Sequence, residues 1–279
     1  MAERRRLRHV EEAMGTVFSF DVAYGAGLRV PSAVEAAVAS LHTVDAVFST
    51  YRPDSQLSRL ARGELGLADC DPRVAEVLGL CERARERTDG WFSTGYAGGL
   101  DPTGLVKGWA VERAARMIAE AGAYGVCVNG GGDIQLLGEP EPGRPWRVGV
   151  TDPLRPGALA TVVESAGELA VATSGTAERG VHVLDPHTGR PPEGEAVSVT
   201  VVTRSLTDAD AWATAAFAMG SRARRWLEDL PHAEAFAVTA DGRGWRTPGF
   251  PAAVRTSNGL VGRAAADGRP APGRPSGRG

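Results

Sequence analysis

Cysteine is scarce in this chain of 279 residues, and Cys70, Cys81 and Cys127 form an odd set without ligand-like spacing. That excludes a disulfide framework and a thiolate zinc site. Cys127, within Gly-Val-Cys-Val, reads as a small core hydrophobe. No apolar run is long enough to span a bilayer. Glu11 and Glu12 interrupt the stretch after Arg4-Arg5-Arg6 before any signal-peptide core could form, so the chain as given reads as cytoplasmic. The net charge of -3 supplies no global field toward nucleic acid or an anionic membrane. Familiar catalytic signatures are missing too. There is no Gly-x-Gly-x-x-Gly opening a helix, no P-loop glycine spacing and no Gly-x-Ser-x-Gly elbow.

What is present suffices for a substantial core, with 43% hydrophobic and 23% charged residues. Residues 1–12 are charged and expected to be loosely held. Thr16–Ala23 reads as a strand, rich in β-branched and aromatic residues. Val34, Val38, Leu41, Val44 and Phe48 recur at helical spacing behind Pro31. A second helix is expected over Asp71–Arg87, with Asp71 as N-cap, and a third over Leu105–Ala121. Strands are expected at Val126–Val128, Trp146–Val150, Leu159–Val163, Leu169–Ala172, Val181–Leu184, Val197–Val202 and Ala235–Thr239. Helices are expected at Asp210–Ala218 and Arg222–Leu230. The mixture lacks a regular βαβ rhythm, which predicts an α+β fold over 13–250. The Gly/Pro/Ala/Arg composition of 259–279 predicts a disordered tail.

Several segments carry candidate chemistry. Asp101-Pro-Thr-Gly-Leu-Val-Lys107-Gly108 opens a helix whose N–H groups and dipole favour an anion, with Lys107 adding a mobile positive charge. An ordinary Asp-Pro turn is the equal alternative. Asn129-Gly-Gly-Gly-Asp133 lets backbone approach a ligand closely or makes a tight turn. Thr173-Ser174-Gly175 follows a strand. His182 alternates with Val181 and Val183, which turns it away from their apolar face, either toward a cleft or, as is the default for any single histidine, into an ordinary exposed or satisfied position; Asp185-Pro-His-Thr-Gly189 has the composition of a turn. Asp210 and Thr214 lie four apart, on one helical face, and offer hard oxygen ligands suited to Mg²⁺. Thr207-x-x-Asp210 also matches a capping box, with Asp210 at the third helical position.

In this order, these segments resemble the FAD:protein FMN transferases, the ApbE family, over residues 13–245. The resemblance rests on Met14-Gly-Thr16, Tyr51-x-x-x-Ser55, Asp101 to Gly108, Asn129 to Asp133, Thr173-Ser-Gly175, His182-x-x-Asp-Pro-x-Thr-Gly189 and Asp210-x-x-x-Thr214. It implies an ApbE-like mixed fold with antiparallel-rich sheets and a flavin cleft between two lobes. It further implies a Mg²⁺-dependent enzyme that moves the FMN half of FAD onto a Thr or Ser hydroxyl of a target flavoprotein and releases AMP. The metal ligands it implies are Gly104, through its carbonyl, with Asp210 and Thr214. Lys107 would lie near the pyrophosphate and His182 near the reacting phosphate or the flavin; because imidazole titrates near neutrality, His182 is the candidate general base, with Asp185 second. Met14, Tyr51, Phe92, Ser93, Glu112, Gly131, Gly132 and Ser174 are the further FAD contacts that the resemblance implies. The chain departs from the family pattern at Ala61, where Asn is frequent, at Thr103, where Gly is common, and at Glu112, where Asp is usual. FAD pyrophosphatase and non-catalytic FAD-binding protein are the alternatives. No nucleic-acid partner or membrane span is expected.

Overall fold

A computed structural model of the protein describes residues 3–95, 99–176 and 183–251. The chain begins with strand β1 (Arg4–Ala13), paired antiparallel along its full length with β2 (Thr16–Gly25). The turn between them is made by Met14 and Gly15, both at positive φ (52° and 69°). This overturns the expectation of a loose N-terminus from Arg4 onward. The charges that suggested solvation are matched across the ladder, where Arg6 and Arg8 reach Asp21 at 2.5 and 3.2 Å, and Leu7 packs on the core.

The remaining elements are α1 (Val30–Phe48), α2 (Gln56–Ala61), α3 (Pro72–Arg87), α4 (Thr103–Glu120), β3 (Gly125–Gly130), β4 (Asp133–Gly138), β5 (Trp146–Thr151), β6 (Leu159–Ser165), β7 (Leu169–Gly175), β8 (Ala196–Thr203), α5 (Leu206–Met219), α6 (Ala223–Asp229), β9 (Glu234–Thr239) and β10 (Gly244–Arg246). Among the described residues, one sheet has the order β1-β2-β3-β4-β7-β8-β9-β10, and β5 with β6 forms a separate hairpin. Every pairing is antiparallel, so the fold is α+β as the sequence predicts. Asp71 caps α3, accepting from Arg73 N, with Pro72 in the first turn. Val183 and Leu184 belong to no strand, and Val181 lies outside the described residues.

Alternate residues of the sheet feed two cores, as a two-residue period requires. Val126, Val128, Ala170, Ala172, Val199 and Val201 join the larger one, with α1, α4 and α5. Leu136, Val171 and Val202 face the other way and meet Trp146, Val148 and Val150 of β5. The α4 and α5 helices therefore lie on one face of the sheet and the β5–β6 hairpin on the other. Apart from Asp208, every residue of α5 is buried, the pattern of a helix enclosed all round. Burial pushes the Cys81 and Cys127 thiols up to about 12, away from reactive thiolate chemistry. Among the described residues, no helix is long and apolar enough to cross a membrane.

The start of α5 is tied to the sheet by a buried amide. Gln135 Oε1 accepts from Leu206 N at 3.1 Å, while its Nε2 donates to the carbonyl of Arg204 at 3.1 Å. Replacing it with Leu strands a buried N–H and carbonyl. Gln135→Leu is therefore expected to lower the unfolding free energy by about 1–3 kcal/mol. Urea unfolding at constant m-value measures this, and an unchanged midpoint would refute it.

Candidate active site

Gly104, Gly108 and Glu112 recur every fourth residue along α4 and so occupy one face. Against that face lies α5, with Thr214 opposite Gly104, Asp210 opposite Gly108, and Thr207 opposite Glu112. The glycines allow the approach. A Cβ on Gly108 would stand 2.5 Å from the Leu206 carbonyl oxygen and 2.7 Å from Asp210 Cβ. One on Gly104 would stand 3.1 Å from Thr214 Oγ1. Asp210, only 5% exposed, accepts a hydrogen bond at 2.9 Å from Gly108 N. Thr214 Oγ1 lies 3.4 Å from Ser174 Oγ, at the end of β7.

The helix start differs from the expected capping box. Ser205 is the N-cap, and its Oγ accepts from Asp208 N. Thr207 lies inside the first turn, where its N–H and hydroxyl both donate to Glu112, at 3.0 and 2.8 Å. The carboxylate from α4 thus takes the N–H that a capping box would leave to a local side chain.

The β3–β4 turn supplies a second wall. Gly131 and Gly132 hold positive φ (59° and 94°), and Gly132 N donates to Asn129 Oδ1. A Cβ on Gly131 would stand 2.5 Å from Thr16 Oγ1, so glycine is required there sterically as well. Asp133, 1% exposed, accepts from Thr173 N at 3.1 Å and from Lys107 Nζ. Lys107 is the chain's single lysine. Its ammonium is held by a buried carboxylate, which corrects the expectation of a mobile charge. A third wall comes from the loop after α3. Thr88 Oγ1 accepts from Phe92 N at 2.9 Å and fixes the Phe92 ring beside Gly104.

These walls enclose a cleft of about 770 Å³. Tyr51, Phe92, Ser93, Gly104 and Lys107 line it, as do Gly131, Gly132, Ser174, Asp210 and Thr214. Tyr51 stands at 92% exposure on its border. Two expected FAD contacts lie elsewhere. Met14 is half-buried against the main core, where the β1–β2 turn places it. Glu112 is drawn into the α4–α5 seam, in a separate groove with Glu76, Arg113 and Asp208. His182 lies outside the described residues. Asp185 shapes a turn, accepting from His187 N at 2.8 Å through Oδ1. The sequence reading missed the wall formed by Val148, Gly149, Val150 and Asp152. Its signal was Gly149 within an alternating strand, a mark of close approach; a Cβ there would lie 2.7 Å from Leu159 Cδ2.

Among the described residues, no cluster of three or more His, Cys, Asp or Glu side chains could hold a metal ion. The cleft offers another kind of donor set: the Asp210 carboxylate, the Thr214 hydroxyl and the Gly104 backbone. By position, the Gly104 carbonyl's helical partner is the N–H of Gly108, the group that donates to Asp210. Hard oxygens with one carboxylate fit Mg²⁺, which binds through few protein ligands and keeps water or phosphate oxygens.

Two carboxyls at the seam are displaced in opposite directions. Burial tends to raise Glu112, but the donors from Thr207, Ser205 and Arg116 outweigh it and hold the group below its ordinary 4.5. Burial raises Asp208, opposed by Arg87 and reinforced by Glu112.

The model of the ApbE family matches residues 14–98 and 93–237. Over 157 residues the chain is 30% identical to the FAD:protein FMN transferase of Salmonella typhimurium, a stretch covering 53% of this chain and 45% of that protein. Over 129 residues it is 35% identical to the FAD:protein FMN transferase of Vibrio cholerae, covering 43% and 39%. The chain thus spans less than half the length of these curated relatives. Among solved structures, it resembles the flavin transferase ApbE from Vibrio cholerae (TM-score 0.72, 21% identity, 88% of this chain and 98% of that one). It also resembles the apo flavinyl transferase ApbE from Pseudomonas stutzeri (TM-score 0.74, 22% identity, 88% and 95%). Both likenesses concern the fold.

The close seam sets two expectations. Gly108→Ala should cost about 1–3 kcal/mol by overpacking, seen as a melting temperature lower by several degrees; an unchanged one would contradict the approach described. Glu112, whose carboxyl is depressed on folding, stabilises fully above pH 4.5 and loses that contribution as the pH falls below it. Glu112→Gln should therefore flatten the acid limb of the stability–pH curve, and parallel curves for the two proteins would refute this.

Proposed function

The chain belongs to the ApbE family, and on that premise we propose that it transfers the FMN moiety of FAD to a Thr or Ser hydroxyl of an acceptor flavoprotein, releasing AMP, with Mg²⁺ as cofactor. The observation that carries this reading is the convergence of Gly104, Asp210, Thr214 and Lys107 in one cleft. About 770 Å³ lies within the range of roughly 300–1,000 Å³ typical of ligand and cofactor sites. The names of the curated relatives support the same activity.

In the proposed reaction, the acceptor oxygen forms a bond to the flavin-side phosphorus of the pyrophosphate. The bond from that phosphorus to the bridging oxygen breaks, and AMP leaves with the oxygen. The hydroxyl proton passes to a base, for which His182 is our candidate because imidazole titrates near neutrality. Bound Mg²⁺ would offset the negative charge of the pyrophosphate and of the departing AMP. Asp210, Thr214 and the Gly104 carbonyl would hold it. Lys107, oriented by Asp133, adds fixed positive charge beside the phosphates. Tyr51 and Phe92 offer aromatic surface to a planar ring, and the glycines of the β3–β4 turn let backbone approach it.

The test is incubation with FAD, Mg²⁺ and an acceptor bearing a Ser/Thr flavinylation motif, read by intact mass. A gain of one FMN on the acceptor, with AMP released, is expected. Free FMN and AMP without that gain would indicate a pyrophosphatase, and intact FAD a binding protein. Asp210→Ala should reduce transfer by more than about a hundredfold, exceeding the 10–100-fold lost when only a ligand's supporting partner is removed. A folded Asp210→Ala protein with full Mg²⁺-dependent transfer would sink the metal assignment.

A further inference from the structure

We infer that Glu112 is a positioning residue for the cation site: it fixes the first turn of α5, and with it the place of Asp210 and Thr214 opposite Gly104. This rests on the metal reading proposed above. A single oxygen, Glu112 Oε2, accepts from Ser205 Oγ at 2.8 Å, Thr207 N at 3.0 Å and Thr207 Oγ1 at 2.8 Å. Its other oxygen accepts from Arg116 at 3.2 Å, and Arg116 is in turn bound to Glu168. The carboxylate therefore grips α5 while being held from behind.

The placement of this grip gives it leverage. Glu112 stands two turns along α4 from Gly104, about 12 Å at 1.5 Å per residue. Thr207 precedes Asp210 by three residues and Thr214 by seven, on the matching face of α5. The two helices are thus pinned at one end by Glu112 and meet at the other where the cation would sit. Between those ends, Gly108 N donates to Asp210 at 2.9 Å, and the glycine face of α4 lies directly against α5. Mg²⁺ demands oxygen distances near 2.1 Å in octahedral geometry, so a small slide or roll of α5 along the glycine face would spoil the site while leaving the fold intact. Folding has a separate anchor in Gln135, which holds Leu206 N from the sheet. Glu112 reaches the cation only through α5.

The experiment is Mn²⁺ binding to the full chain with FAD present, followed by electron paramagnetic resonance of free Mn²⁺ and by displacement with Mg²⁺. Circular dichroism confirms folding of each variant. Glu112→Ala should weaken Mn²⁺ by about tenfold or more, the scale for loss of a residue that orients a ligand. Glu112→Gln, whose amide oxygen can accept the same three hydrogen bonds, should recover most of that loss. Equal loss in both variants would mean that the carboxylate acts through its charge, and would overturn the inference. Wild-type affinity in Glu112→Ala, with binding lost in Asp210→Ala, would also overturn it and leave the proposed function standing. Wild-type affinity in Asp210→Ala would remove the metal reading itself and the inference with it. Should Glu112→Ala not fold, Ser205→Ala decides: a several-fold weakening supports the inference and unchanged affinity overturns it.

Discussion

The contact between α4 and α5 is the constraint on which the candidate site depends. Two glycines one turn apart remove the side chains that would hold the helices apart, and the alanine-rich partner lets its backbone come close. At that separation a main-chain N–H of one helix reaches a side-chain carboxylate of the other. Gly104 faces the Thr214 side chain with little room for a side chain of its own, for the same reason. The cost is a buried carboxylate and a buried hydroxyl within an apolar helix, which proteins tolerate when those groups are hydrogen-bonded.

The rest of the fold is arranged around this seam. The antiparallel sheet provides the floor on which both helices lie, and Gln135 and Ser205 set where α5 begins. The β3–β4 turn brings Asp133 beneath Lys107, so that an α4 side chain is aimed by a residue of the sheet. The opposite wall is the β5–β6 hairpin, packed on the other face of the sheet by its own small core. The cleft is thus bounded by elements of both cores.

Local patterns in the sequence revealed the parts of the site that depend on spacing. Asp210 and Thr214 could be placed on one face by counting, and the glycine turn and the Asp-Pro helix start are short-range features. Contacts between distant segments were not legible. Thr207 looked like a cap because its neighbours fit, whereas the group that occupies its N–H comes from Glu112, far back in the chain. Glu112 was read by its motif as a cofactor contact, although the repeat Gly104, Gly108, Glu112 already placed it on the seam side of α4. The N-terminal arginines looked solvated because Asp21, their partner, belongs to the next strand. The spacing of β5 predicts a strand, but apart from Gly149 nothing local says which face of that strand borders a cavity.

The lone lysine has a consequence beyond the site's electrostatics. All other side-chain cations in the chain besides histidine are arginines, which amine-directed chemistry leaves untouched. Apart from the α-amino group, an amine-directed acylating agent, aldehyde or acetyl donor therefore finds a single side-chain primary amine to modify, and that amine lines the cleft. The protein's surface is in effect protected against lysine modification, and whatever modification occurs at a lysine registers at the place where ligand would bind.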